Sequence, residues 1–183
     1  MGIGTSLISY INGRQQSVDR LESVAARKEQ AIQTWAQSLQ QELQVASQTD
    51  YSPKFVSTAL RLANEGKNYT WYNSLVRKRL QALVDQSSQL EELFLLDVHG
   101  RVVVSTDAAR EGEDYSMTPE FRWGLSRPFT RLPFHPVEAA NHSNTVIATN
   151  ESTVITVVPH LSDGGDPLGV IGGRSDTEAL FVI

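Results

Sequence analysis

The sequence predicts an α+β fold: a long N-terminal helix, two shorter helices, and a five-stranded antiparallel sheet. Two observations carry this expectation. Residues 14–86 show helical periodicity with few breakers, whereas short runs rich in Val, Ile and Thr dominate after Leu90. Helices first and strands later is the order of α+β proteins with antiparallel sheets, and five strands is a usual sheet size.

The first helix covers Arg14 to Thr49, which holds no Pro and no Gly and is dominated by Gln, Glu, Ala and Leu. Val18, Leu21, Ala25, Lys28, Ile32, Trp35, Leu39 and Ala46 form a heptad-like stripe, interrupted by Lys28 and Glu42. Two readings fit: pairing with a second copy of the chain, or the core face of one packed helix. The expected arrangement combines them, with the N-terminal half pairing and the Trp35–Leu39 half docking on the domain. Before this helix, Gly2 to Ile11 is apolar, yet about 20 residues are needed to span a bilayer. No basic segment precedes it and no small-residue cleavage site follows, so it is not a signal peptide. It reads as the end of a membrane helix or as an ordinary terminus.

Ser52-Pro53 is a helix start, and Gly66 a helix stop. A third helix runs from Asn68 to about Gln86, with Leu75, Val76, Leu80, Leu83 and Val84 on one side. Arg77-Lys78-Arg79 on it reads as a solvated face. Strands are expected at 92–97, 101–106, 145–149, 153–159 and 167–173. Asp97-Val98-His99-Gly100 supplies a tight turn between the first two. Residues 107–144 form a long, Pro-bearing excursion, and a loop of that length is usually functional.

The chain has 183 residues, a net charge of −5 and no cysteine. The acidic balance argues against a nucleic-acid surface. The lack of cysteine removes disulfides, thiolate metal sites and thiol nucleophiles. No nucleophile elbow, zinc-protease, phosphate-loop or dinucleotide motif occurs. His99, His135, His142 and His160 show no metal-ligand spacing, and Glu111-Gly112-Glu113-Asp114 lacks the alternation of a calcium loop. No enzymatic activity, metal or cofactor is expected. The aromatic and cationic side chains say more. Tyr115, Phe121, Arg122, Trp123, Phe129 and Arg131 fall within 17 positions. Aromatic walls with one or two fixed charges suit a small-ligand site. Any one of them could equally be core or solvent-facing.

The segment from Glu91 through Leu93-Phe94-Leu95-Leu96, Asp97-Val98-His99-Gly100 and Val102-Val103-Val104 to Thr106 resembles the strand–turn–strand signature of Cache domains. These are the extracytoplasmic PAS-like sensors of bacterial receptors. Gly112-Glu113-Asp114-Tyr115-Ser116 with Phe121, and Val157-Val158-Pro159 followed by Pro167-Leu168-Gly169-Val170-Ile171-Gly172-Gly173, resemble two later family segments. The resemblance spans nearly the whole chain. It implies a PAS-like sheet with flanking helices, a sensor domain over 51–183 behind a signalling helix over 1–50, and membrane helices on either side. It also implies a ligand pocket on one sheet face and an output module elsewhere in the receptor. Gly2–Ile11 then becomes the stump of the first membrane helix. Candidate ligand contacts are Tyr115, Phe121, Arg122, Trp123, Arg131, Thr156, Arg174 and Asp176. Amino-acid sensors of the family carry a Y-x-x-x-R-x-W-Y type motif and a late Asp. Here Trp123 directly follows Arg122, and Arg174 stands near the Asp position, with Asp176 two residues on. A cation there attracts an anion, so the expected ligand is a carboxylate or another anionic metabolite, bound by a homodimer paired through the N-terminal helix. The rival readings are a ligand-free spacer lobe and a cytosolic PAS-type interaction module.

Overall fold

The computed structural model describes residues 3–48, 52–132 and 153–176, and the side chains of 20–45, 54–132 and 153–176. The chain divides into two compact units, Met1–Trp35 and Ala36–Ile183. The division falls inside the first helix.

Helix α1 is Ile3–Gln48, so it begins well before Arg14 and takes in most of the apolar stretch. No helix among the described residues is long and apolar enough to cross a membrane. Within the first unit Leu21 is 70% exposed, and Ala25 and Lys28 of the predicted stripe and the nearby Val24 are exposed too. Further along, Trp35, Leu39 and Leu43 are buried at four-residue spacing, which keeps them on one helical face.

Helices α2 (Ser52–Asn64) and α3 (Thr70–Gln86) follow. The amide of Gly66 bonds the Ala63 carbonyl and that of Lys67 bonds Leu62, closing α2 in the manner of a Schellman turn. On α3 only Val76 and Leu80 are buried, and Leu75 is exposed.

The sheet contains β1 (Glu92–Leu96), β2 (Val102–Ser105), β3 (Phe129–Arg131), β4 (Thr153–Leu161) and β5 (Pro167–Asp176), in the spatial order β2-β1-β5-β4-β3. Every pairing is antiparallel. Four strands answer to expected ones. The third is instead Phe129–Arg131, inside the segment expected to be irregular, while 145–149 lies outside the described residues. Pro128 and Pro133 flank this strand. Such flanks hide a strand from sequence reading, but an edge position tolerates them because one side of the backbone needs no partner.

The β1–β2 turn is built as expected. Asp97 Oδ1 accepts from the amides of His99 and Arg101, both at 2.9 Å, and Gly100 takes φ +86°. Successive strand residues face opposite sides of the sheet. One side carries Leu93, Leu95, Val104, Val154, Val158 and Ile171 and belongs to the helices. Leu43 and Leu90 approach Gly173 there, and Leu60 approaches Gly169. Gln40 Nε2 donates to Thr130 Oγ1 at 3.0 Å, and Asn64 Nδ2 donates to the Leu168 carbonyl at 3.0 Å.

His160 belongs to this helix-covered side. It is buried, with Nε2 2.9 Å from Ser57 Oγ. Burial pushes its pKa below the ordinary value. A depressed folded pKa means that the unfolded chain binds the extra proton first. The stability this gives is present above about pH 6.5 and is lost as pH falls through the folded value. The melting temperature should therefore drop between pH 7.5 and 5.5, and His160→Gln should flatten that slope. An equal slope in the variant would assign the acid sensitivity elsewhere.

Candidate functional site

The opposite side of the sheet has one apolar cluster: Phe94, Leu96, Val102, Tyr115, Phe121, Ile155, Val157 and Val170, with Leu125 and Phe129 against it. Two short segments cover it. Residues 112–115 run beside the start of β2: the Val102 amide donates to the Glu113 carbonyl at 2.9 Å, and the Tyr115 amide to the Gly100 carbonyl at 2.7 Å. Helix α4 (Pro119–Gly124) follows, with Thr118 as its N-cap and Pro119 at its first position. It turns Glu120, Phe121 and Gly124 inward. Gly124 is there because α4 lies close on the sheet; a Cβ would stand 2.8 Å from Val157 Cγ2.

Strand register lines up one transverse row on this face. Arg131 opposes Ile155, Ile155 opposes Arg174, and Arg174 opposes Glu92. Arg131 and Arg174 are thus two strands apart, about 10 Å at the backbone. In the next row Phe94 opposes Gly172, whose missing side chain admits the ring; a Cβ there would stand 2.3 Å from Phe94 Cζ.

Both arginines are held by buried carboxylates. Arg131 Nη1 lies 2.6 Å from Glu120 Oε1, and Glu120 is completely buried. Arg174 Nε lies 2.8 Å from Glu92 Oε2, and Arg174 Nη2 donates to the Tyr115 hydroxyl. The Arg174 guanidinium also lies 5.8 Å from the centre of the Phe94 ring and 6.0 Å from that of Tyr115. These two rings are 5.7 Å apart. Arg174 therefore rests against an aromatic pair that favours a cation.

Glu92 is the hub of the charges. Its Oε1 accepts from Ser105 Oγ at 2.6 Å, and its Oε2 lies 3.2 Å from Arg110 Nε as well as beside Arg174. Arg110 in turn reaches Asp107 at 3.3 Å and Glu113 at 3.7 Å, and the Tyr115 hydroxyl donates to Glu113 at 3.4 Å. Burial pushes the Glu92 carboxyl above the usual carboxylate range, against the lowering pull of Ser105, Arg174 and Arg110. Burial likewise raises the Tyr115 phenol, which stays a neutral hydroxyl.

The structure thus brings together Tyr115, Phe121, Arg131 and Arg174. Asp176, half-buried, continues the same face at the end of β5, opposite Thr153. Three expected contacts fall elsewhere. Arg122 and Trp123 lie on the outer side of α4; Trp123 is 48% exposed, with Arg127 stacked 4.4 Å from its ring centre. Inward positions on this short helix recur at 120, 121 and 124, which turns 122 and 123 away. Thr156 sits on the helix-covered side, 3.1 Å from Thr130 Oγ1, because its neighbour Ile155 takes the site face. Glu92, Arg110 and Glu120 were not anticipated. Glu92 carried a signal: in Glu92-x-Phe94-x-Leu96 a carboxylate alternates in phase with core residues. Arg77 is also not simply solvated. It bonds Glu111 at 2.6 Å and the Ser105 carbonyl at 3.1 Å, closing the edge of β2.

This architecture recurs in solved structures. The sensor domain of the V. cholerae histidine kinase DctB matches with a TM-score of 0.56 at 14% identity, over 96% of this chain and 59% of that one. The two share a fold: a long helix with a five-stranded antiparallel sheet. The ligand-binding domain of the Pseudomonas fluorescens chemoreceptor CtaA is similar in fold as well. Its complex with L-alanine matches with a TM-score of 0.52 at 16% identity, over 90% of this chain and 61% of that one. Its complex with L-serine gives 0.51 at 17%, over 91% and 62%. The chain spans about three fifths of the length of these domains. No protein-family model and no curated protein matches the sequence.

Proposed function

We propose that this chain is the ligand-sensing part of a membrane-bound signal-transduction receptor, facing outside the cytoplasm. Its task is binding without catalysis. The ligand is a small metabolite with an anionic group, taken at the sheet face beneath α4, where Arg174, Arg131 and Tyr115 supply donors and Phe94, Phe121 and Ile155 supply apolar walls. The observation that carries this reading is the row Arg131–Ile155–Arg174, a half-buried and a buried guanidinium group set into an apolar sheet face. Planar guanidinium groups grip carboxylates in two parallel hydrogen bonds. The neighbours of like fold, a histidine kinase sensor and a chemoreceptor ligand-binding domain, support a sensing role.

Signalling then runs through α1 in a homodimer, with the exposed Leu21 and Val24 as the pairing stripe. Leu21→Cys should form a disulfide-linked dimer under mild oxidation; a purely monomeric product would remove the pairing. A second reading, a ligand-free spacer lobe, is favoured by one observation: each of the two arginines already has a carboxylate beside it.

A thermal-shift screen against carboxylates, amino acids, sugars, polyamines and purines separates the two. A ligand at a hundred times its dissociation constant adds about 2.7 kcal/mol of stability. The sensing reading expects a dose-dependent rise for an anion, lost in Arg174→Ala. A flat response across all classes supports the spacer.

A further inference from the structure

We propose that Glu92 is a built-in competitor for the ligand, occupying the side of Arg174 that an incoming anion would take. This deepens the reading of the sheet face as an anion-accepting site and rests on it. The geometry is that of a stand-in ligand. Glu92 Oε2 lies within ion-pair distance of both Arg174 Nε and Arg110 Nε, at 2.8 and 3.2 Å. Yet both Nε atoms are buried, and among the described residues neither makes an aligned hydrogen bond. The carboxylate neutralises the arginines without satisfying these two Nε donors. An anion approaching in the guanidinium plane can satisfy them.

Displacement leaves Glu92 somewhere to go. Ser105 on β2 already holds its other oxygen, and Arg110 lies on the neighbouring 3-10 turn, Ala108–Arg110. The remaining charged and titratable groups around it are Asp107, Glu113 and Tyr115. Once Arg174 has turned to the ligand, Glu92 is a buried carboxylate near two others, and it takes a proton from solvent. The upward push that burial already exerts on this carboxyl acts in the same direction. Binding is thereby coupled to proton uptake, and the affinity for an anion rises as pH falls.

The test uses sodium acetate as probe, titrated calorimetrically into the whole chain. Glu92→Gln keeps an oxygen for Ser105 and removes the competing charge. It should bind acetate at least tenfold more tightly than the unmodified chain. The unmodified chain should take up a proton on binding, seen as heats that differ between buffers of different ionisation enthalpy, and Glu92→Gln should not. Glu92→Asp, which withdraws the carboxylate by one methylene, should fall between the two and serves if Glu92→Gln does not fold. Acetate binding that is no tighter in either folded variant overturns the inference. The two readings fail separately. If the screen finds a ligand but neither variant gains affinity for acetate, sensing stands and the competitor falls. If the variants take acetate but no compound binds the unmodified chain, the competitor stands and sensing falls.

Discussion

Glu92→Ala should destabilise the domain by about 3–5 kcal/mol, the range for breaking a buried ion pair from one side. The asymmetry of the pair sharpens this expectation. Without Glu92, Arg174 stays charged and buried, since a guanidinium cannot release its proton. Without Arg174, Glu92 can take a proton and keep its bond from Ser105. Arg174→Met should therefore cost less than Glu92→Ala, and its cost should shrink on acidification. The sign follows from linkage. A carboxyl whose folded pKa is raised contributes stability that is full below its unfolded value, about 4.3, and is lost as pH rises through the folded one. Removing Arg174 raises that folded value further. Urea denaturation of both variants at pH 7.5 and 5.5 checks this, because the His160 contribution is common to both and cancels. Equal costs at both pH values would show that Glu92 stays ionised whatever stands beside it.

Gly100→Ala should cost about 2–5 kcal/mol, by two effects that add. The residue sits at φ +86°, where an L side chain is strained by about 1–2 kcal/mol. Its new Cβ would also stand 2.6 Å from the Ser116 amide nitrogen and 2.7 Å from Ser116 Cα. That obstacle is backbone, so it cannot swing away, and overpacking of this kind costs a further ~1–3 kcal/mol. The displaced segment is the one that carries Tyr115 over the sheet. The variant should therefore lose ligand-induced stabilisation as well as intrinsic stability. Chemical denaturation gives the first, and the thermal-shift response the second. A folded variant of unchanged stability would mean that the turn relaxes without moving residues 114–116.

Where local chemistry decides a structure, the sequence was readable. Asp97 and Gly100 announced the first hairpin, Gly66 the end of α2, and Trp35 and Leu39 a docking helix face, to which the structure adds Leu43. The third strand was not readable, because Phe129-Thr130-Arg131 is only three residues long and its pairing with β4 is set from across the sheet. The site was half readable. Tyr115, Phe121, Arg131 and Arg174 were expected and meet on one face. Arg122 and Trp123 share the segment but lie on the other side of one helical turn, and Thr156 is a single residue out of phase. Charge partners were least readable. Nothing local to Arg174 names Glu92, which is 82 positions earlier and arrives only through the β1–β5 register. An unpaired Arg174 would have made an anion the natural ligand on charge alone. With Glu92 beside it, the preference depends on whether that carboxylate yields.

The proposed ligand site is the sheet face beneath α4. Amide chemical-shift mapping of the whole chain, titrated with the compounds of the screen, tests it most directly. One compound class should move the resonances of Tyr115, Ile155 and Arg174 most, in saturable fashion, with those of Thr156 and His160 on the far side moving less. Shifts centred on the helix-covered side, or no saturable shift from any compound, would contradict it.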